Sequence, residues 1–380
     1  MDCKKTHFQL DESFTYLNCA YMSPQLKVVE EAGIEGLQRK RDPFKISPEE
    51  FFGETDQLRK EYAKLINAED PKRIVVIPSV SYGMANVAKN LPLSKGDNII
   101  VVGEQFPSNI YPWRSVASEK GAEIITITPP NSEERGKGWN EKIMNAINEK
   151  TKLVAIANVH WADGTRFNLQ AIRTLTRNVG AWLAIDGTQS VGALPFDIKK
   201  IQPDALICAG YKWLMGPYSI GLAYYGPALD EGDPVEENWI NRYESENFAN
   251  LVNYNDDYQP GALRYEVGEH SNFILVPMML AAIKQLNEWG PDNIQKYCKD
   301  LIAEPVAKLR KDGFRIEDEN FRSAHLFGIR LAEQHKMEKI KAAFDEHDIL
   351  VSFRGDSIRV SPNVYNTKED LSKLTQALLP

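Results

Sequence analysis

Between residues 74 and 226 short apolar runs recur along the chain: IVVIP, NIIVV, EIITIT, KLVAIANV, WLAID, ALICA and IGLAYY. Most are separated by polar stretches compatible with helices, which is the alternation of an α/β domain. Polar residues rarely interrupt the runs. The strands they predict are therefore covered on both faces, as in a mostly parallel sheet with helices on either side. The last pair is an exception. A parallel return needs about a dozen or more residues, and the link between ALICA and IGLAYY is shorter, so these two strands are predicted antiparallel. From residue 273 the period lengthens into the helical segments NFILVPMMLAAIKQLNEW and DNIQKYCKDLIAEPVAKLRK, followed by strand candidates around HLFGIRL, ILVSF and SIRVS. This predicts a smaller α/β domain that closes over the first. The stretch 231–261 is polar and aromatic without a clear period, and reads as a long excursion near a site or an interface.

Composition narrows the classes. With 380 residues, 43% hydrophobic and 26% charged, the chain can bury a full core and is not predominantly disordered. A net charge of −8 without a basic stripe argues against a nucleic-acid partner. Cys3, Cys19, Cys208 and Cys298 are widely spaced and form no CxxC pair, so neither a metal site nor a disulfide framework is expected. The N-terminal stretch MDCKKTHFQLDESF has no apolar signal core, and the apolar runs are too short to cross a bilayer. A soluble cytoplasmic protein with no membrane partner is expected.

Open α/β sheets bind ligands at the carboxyl ends of their strands, and the residues following each apolar run carry chemistry. After IVVIP, Ser79, Val80 and Ser81 open a predicted helix, where hydroxyls and amides either hold a phosphate or simply cap the helix. After NIIVV, Phe106 is either a plate against a flat ring or core filler. NVHWADGT brings His160, Trp161 and Asp163 together, and His160 is either a catalytic group or a buried structural one. In WLAIDGTQ, Asp186 ends a strand with Gln189 three residues on. It needs a cation from elsewhere, for which a protonated heterocyclic nitrogen would serve, or else it caps the next turn. In ALICAGYKW, Lys212 follows a buried run with no neighbouring carboxylate. It either escapes to solvent or is uncharged through a covalent bond. In this order, a phosphate cradle, an aromatic plate, a carboxylate for a pyridinium and an apolar-flanked lysine describe a pyridoxal 5′-phosphate site.

The stretches SVSYGMAN, NIYPW, HWADGT, DGTQSVGALPFDI, AGYKWLMGPYSIG and RYEVGEHSN resemble, in that order, the class V aminotransferase family of fold-type I pyridoxal phosphate enzymes. That family includes cysteine desulfurases, kynureninases and isopenicillin N epimerase-like proteins, and the resemblance covers nearly the whole chain. It implies a large cofactor-binding domain over 21–262 with a mostly parallel seven-stranded sheet, and a small domain from 1–20 and 263–380. It also implies a homodimer with the site at the subunit boundary and an amino-acid substrate. By position, Lys212 is the lysine that holds the cofactor as an imine, Asp186 meets the pyridine nitrogen and Gln189 sits near the ring hydroxyl. Tyr211 and Ser81 contact phosphate, and Phe106 stacks on the ring. Glu269, His270 and Ser271 fall where the neighbouring subunit reaches the phosphate.

The chain also departs from the family pattern. Where desulfurases carry a phosphate-binding serine it has Ala209, and Phe106 replaces their stacking histidine. The segment ILVSFRGDSIRVSPNVYNTKED contains no cysteine to take up sulfur. It resembles the kynureninase ending, with Arg354 and Arg359 as candidates for the substrate α-carboxylate, although Gln189 stands where kynureninases have a histidine. Transamination of an amino acid is the expected reaction. A kynureninase-like carbon–carbon lyase or an epimerase is the alternative, and a regulatory protein that only binds the cofactor is a further one.

Overall fold

Each of the seven apolar runs forms a strand. In chain order these are β1 Ile74–Ile77, β2 Asn98–Val102, β3 Glu123–Ile127, β4 Thr151–Ala157, β5 Trp182–Asp186, β6 Ala205–Ala209 and β7 Gly221–Tyr225. The computed structural model describes residues 1–132, 134–331 and 334–379. The strands join one sheet in the order β1-β7-β6-β5-β4-β2-β3. β7 runs antiparallel to β1 and β6, and every other pairing is parallel. The antiparallel ALICA–IGLAYY pair is thus present, because the link 210–220 is too short for a crossover. At the open edge, β3 exposes Glu123 and Thr126 and half-buries its isoleucines, whereas β6 and β7 are buried throughout.

Side chains alternate across a strand, and the cores on the two faces follow that parity. Val76, Ile100, Ile156, Ile185 and Leu206 pack on one face under the helices Glu50–Leu65, Arg135–Ala146 and Leu275–Trp289. Val75, Ile99, Ala155, Ala184 and Ile207 pack on the other under Val80–Asn90 and Tyr111–Lys120. Full burial of each large aliphatic side chain contributes about 1.5–3 kcal/mol. Gly36 lets the helix Lys27–Arg39 come close to Leu275–Trp289, since a Cβ there would collide with the Phe273 carbonyl.

The C-terminal pattern is also realised. The predicted helices are Leu275–Trp289 and Pro291–Lys311, and the strands are β8 Phe327–Arg330, β9 Ser352–Arg354 and β10 Ser357–Val360. These strands form an antiparallel sheet in the order β9-β10-β8. One face carries Ile329, Ile358 and Val360 into a third core with Leu17, Leu309, Phe344 and Leu371. Thr15–Tyr16 pairs in parallel with Ile349–Leu350, tying the N-terminal segment to this region. The stretch 231–261 holds a 3-10 turn at Phe248–Asn250 and ends where a second, Gly261–Tyr265, begins. Its Trp239 and Phe248 pack edge-on against Phe52. No helix among the described residues is long and apolar enough to cross a membrane.

Candidate active site

The carboxyl ends of β1, β4, β5 and β6 border a cavity of about 370 Å³. Its first wall is the start of the helix Val80–Asn90. Ser79 has extended backbone and caps the helix, its Oγ accepting from the Tyr82 amide at 3.2 Å. The Ser79 and Ser81 hydroxyls lie 2.9 Å apart, and Ser79, Val80 and Ser81 all line the cavity. The first amides of a helix have no partner within it and carry the positive end of its dipole. This wall therefore offers amides and hydroxyls to an anion while the cap is also in place.

Asp186 ends β5, and its Oδ1 accepts from the Thr188 amide at 3.0 Å. Among the described residues its carboxylate has no cationic hydrogen-bond partner. Burial raises its pKa, against the Thr188 bonds and the charge of Lys212. Lys212 follows β6 in a turn closed by the Gly210 amide on the Ile220 carbonyl and the Gly216 amide on the Gly210 carbonyl, both at 2.9 Å. It does not escape to solvent: the residue is 7% exposed. Its Nζ sits 5.5 Å from the centre of the Phe106 ring and 5.4 Å from that of Tyr211. Burial pushes its pKa down to about 8; Asp186 opposes this, and Arg359 and Arg354 add to it. The next residue anchors the turn, the Trp213 indole donating to Gln189 Oε1 at 2.8 Å. Gln189 Nε2 in turn donates to the Ala20 carbonyl at 3.1 Å, so both ends of the amide on the cavity wall are already engaged.

Phe106 and Trp161 meet edge-to-face at 5.5 Å, and both line the cavity. The Trp161 indole is held by the Glu104 carbonyl at 2.6 Å. Behind it, Arg359 is 1% exposed; its Nη1 donates to the Trp161 carbonyl at 2.9 Å, its Nη2 to Ser352 Oγ at 3.2 Å, and its Nε has no partner. The Arg354 guanidinium lies 5.4 Å from the Trp161 ring centre. Neither arginine is among the residues lining the cavity; both reach it through Trp161.

Two sets of expected residues lie elsewhere. His160 is fully buried and does not line the cavity. Its Nδ1 is 3.1 Å from Asp163 Oδ1 and its Nε2 is 3.1 Å from the Glu104 carbonyl, with Trp139 edge-on at 5.0 Å. Both nitrogens therefore face acceptors, and the structure places His160 behind the cavity wall rather than on it. Asp163 is buried, which alone would raise its pKa, yet His160, Arg330 and Arg135 hold it well below the usual carboxylate range. His270 and Ser271 are also absent from this cavity. His270 Nδ1 is 3.1 Å from Thr55 Oγ1, and Phe52 lies against its ring. Conversely, the cavity wall includes Gln105, Ser108, Thr188, Tyr218 and Ser219, which the sequence reading did not single out. Reading two residues past each strand end would have found Thr188. Tyr218 reaches the site only because the link 210–220 folds back, which places its ring 4.6 Å from Tyr211.

The aminotransferase class-V family model matches residues 48–374. The uncharacterised aminotransferase YcbU of Bacillus subtilis is 25% identical over 327 residues, 85% of this chain and 82% of that protein. A cysteine desulfurase of Escherichia coli is 28% identical over 257 residues, 67% of this chain and 61% of that protein. Among solved structures, the cystine C–S lyase C-DES in complex with its reaction product cysteine persulfide superposes with a TM-score of 0.84 at 21% identity, over 97% of each chain, a likeness of fold. This chain belongs to the aminotransferase class-V family and is a pyridoxal 5′-phosphate-dependent enzyme acting on an amino acid.

The residues present fit that cofactor. A buried amine, a carboxylate without a cationic hydrogen-bond partner among the described residues, and a helix start bearing hydroxyls border one cavity. Gln105 on the same wall has an amide nitrogen buried without a partner. Lys212 can hold the aldehyde carbon, Asp186 the ring nitrogen, and Ser79 to Ser81 the phosphate.

Proposed function

We propose that this enzyme is an aminotransferase whose substrate is an α-amino acid, with Arg359 receiving the α-carboxylate. One observation carries the reading. Arg359 is a fully buried guanidinium with no carboxylate partner among the described residues, fastened to Trp161 on the cavity wall. A buried cation needs an anion, and a guanidinium fork matches a carboxylate better than an ammonium does. Pyridoxal 5′-phosphate supplies the electron sink for the substrate carbon. In this reading Lys212 would hold the cofactor, and its Nζ, whose pKa burial lowers to about 8, would take and return the α-proton. Asp186 keeps a negative charge beside the ring nitrogen. Phe106 on the cavity wall would offer its ring to the cofactor and has no proton to exchange, which leaves Lys212 as the proton carrier.

Desulfuration is not part of the reading. The segment 349–365 contains no cysteine, and Cys19 is buried with its thiol pushed up to about 12, far from the thiolate that attacks sulfur. We further propose a homodimer in which His270 and Ser271 of each protomer complete the phosphate site of the other. Supporting this, both residues lie apart from their own chain's cavity, and His270 packs edge-on against Phe52 of the aromatic cluster that Phe52 forms with Trp239 and Phe248. The free cysteines suit a reducing, cytoplasmic setting.

The test is a single-turnover panel of amino acids with the loaded enzyme, followed by cofactor absorbance and product analysis. A 2-oxo acid together with the amine form of the cofactor is the expected result. Racemised or fragmented substrate would point to an epimerase or a lyase, and no spectral change with any amino acid to a binding role. Arg359→Lys should lower kcat/KM by roughly 30- to 150-fold, about 2–3 kcal/mol, and leave the bound-cofactor spectrum unchanged.

A further inference from the structure

Three arginines stand on one face of the C-terminal sheet, and only one is neutralised. Register places Arg354 and Arg330 opposite Ser357, and Arg359 opposite Ser352 and Gly328. All three point away from the third core, which takes Ile329, Ile358 and Val360. Arg330 meets Asp163 at 2.9 Å and Asp356 at 3.3 Å. Arg354 and Arg359 have no carboxylate partner among the described residues.

In the reading above the α-carboxylate takes up Arg359, which leaves Arg354 as a surplus cation. Among the described residues its Nη1 bonds only to the carbonyl of its neighbour Phe353, at 2.8 Å, and its buried Nε has no partner. Ser357, opposite Arg354 by register and two residues before Arg359 on the same face of the strand, has a buried hydroxyl that is likewise unpartnered among the described residues. Trp161 connects the two arginines to the chemistry: it lines the cavity, its carbonyl accepts from Arg359, and its ring lies against Arg354. Arg359 is buried and Arg354 half-buried, and like charges repel more strongly as they lose water, so a second negative charge arriving beside Arg354 relieves the pair.

We propose that Arg354, with Ser357, receives a second carboxylate borne by the substrate side chain, so that the preferred substrate is a dicarboxylic α-amino acid. This rests on the reading of Arg359 as the α-carboxylate fork. A neutral side chain would leave Arg354 unpaired, whereas an acidic one forms a charge-assisted hydrogen bond. Such a site rejects analogues that lack the group it was built to hold.

The test compares each acid with its near-isosteric amide, aspartate with asparagine and glutamate with glutamine, as kcat/KM of the loaded enzyme. In parallel, succinate and butyrate are titrated against the absorbance of the bound cofactor, a binding readout without turnover. The wild type should favour the acids by about tenfold or more, and succinate should bind more tightly than butyrate. Arg354→Gln should reduce the acid-to-amide ratio by at least about tenfold and erase the preference for succinate. A wild type that prefers the amides, or an Arg354→Gln protein with an unchanged ratio, would overturn the proposal. Failure of the underlying reading would look different: Arg359→Lys would then be unimpaired on acids and amides alike, which would overturn both.

Discussion

At the residue scale the site depends on where charge is left unpaired. Lys212 has Asp186 as its opposing charge, yet burial outweighs that attraction and lowers the ammonium pKa to about 8. Since only the neutral amine attacks an aldehyde, capture of added pyridoxal phosphate by cofactor-free enzyme should speed up by about tenfold per pH unit below 8 and level off above it. Stopped-flow absorbance would measure this. A rate still climbing beyond pH 10 would mean an unperturbed lysine and would count against the assignment. His160 shows the opposite outcome. Its position in NVHWADGT is equally suggestive in one dimension, but both nitrogens are committed to Asp163 and Glu104. Those contacts tie it to Asp163 and to the Glu104 carbonyl that also holds the Trp161 indole.

At the element scale the link 210–220 and the turn after β5 hold each other. Gly192 has φ of +103°, and a Cβ there would collide with the Trp213 carbonyl, one residue from Lys212. Gly192→Ala should therefore destabilise the fold by about 1–3 kcal/mol and weaken cofactor retention, because the turn that presents Lys212 must shift. Denaturant midpoints and cofactor content after dialysis would check this, and unchanged values for both would contradict it. The β9–β10 hairpin follows the same logic. Alternation sends Phe353 and Ile358 into the core and turns Arg354 and Arg359 towards Trp161.

At the scale of the whole molecule, the proposed dimer makes cofactor retention depend on association. If His270 and Ser271 serve the other protomer, dilution below the dimer dissociation constant should release cofactor in step with the appearance of monomer. Sedimentation and cofactor absorbance on the same dilution series would show the two curves coinciding. A monomer that keeps its full cofactor content would refute the shared site.

The period of the apolar runs was enough to derive the strands and the antiparallel return of β7, because both follow from local properties of the chain; burial followed too except at β3, whose place at the open edge was set by the order of strands in the sheet. The same local order marked the walls of the cavity, since residues just past a parallel strand must emerge at its carboxyl end, and Ser79, Phe106, Asp186 and Lys212 all do. Tertiary structure alone decided which polar groups were already satisfied. Nothing in the sequence distinguishes His160, bonded on both sides, from Lys212, left with a single opposing charge, or Arg330, neutralised by Asp163, from Arg354 and Arg359, which are not. Those pairings join residues as distant in the chain as Asp163 and Arg330, and they form only when the two sheets pack. Charge compensation is a property of that packing, which is why strand ends in the sequence mark the walls of the cavity but not the state of its charges.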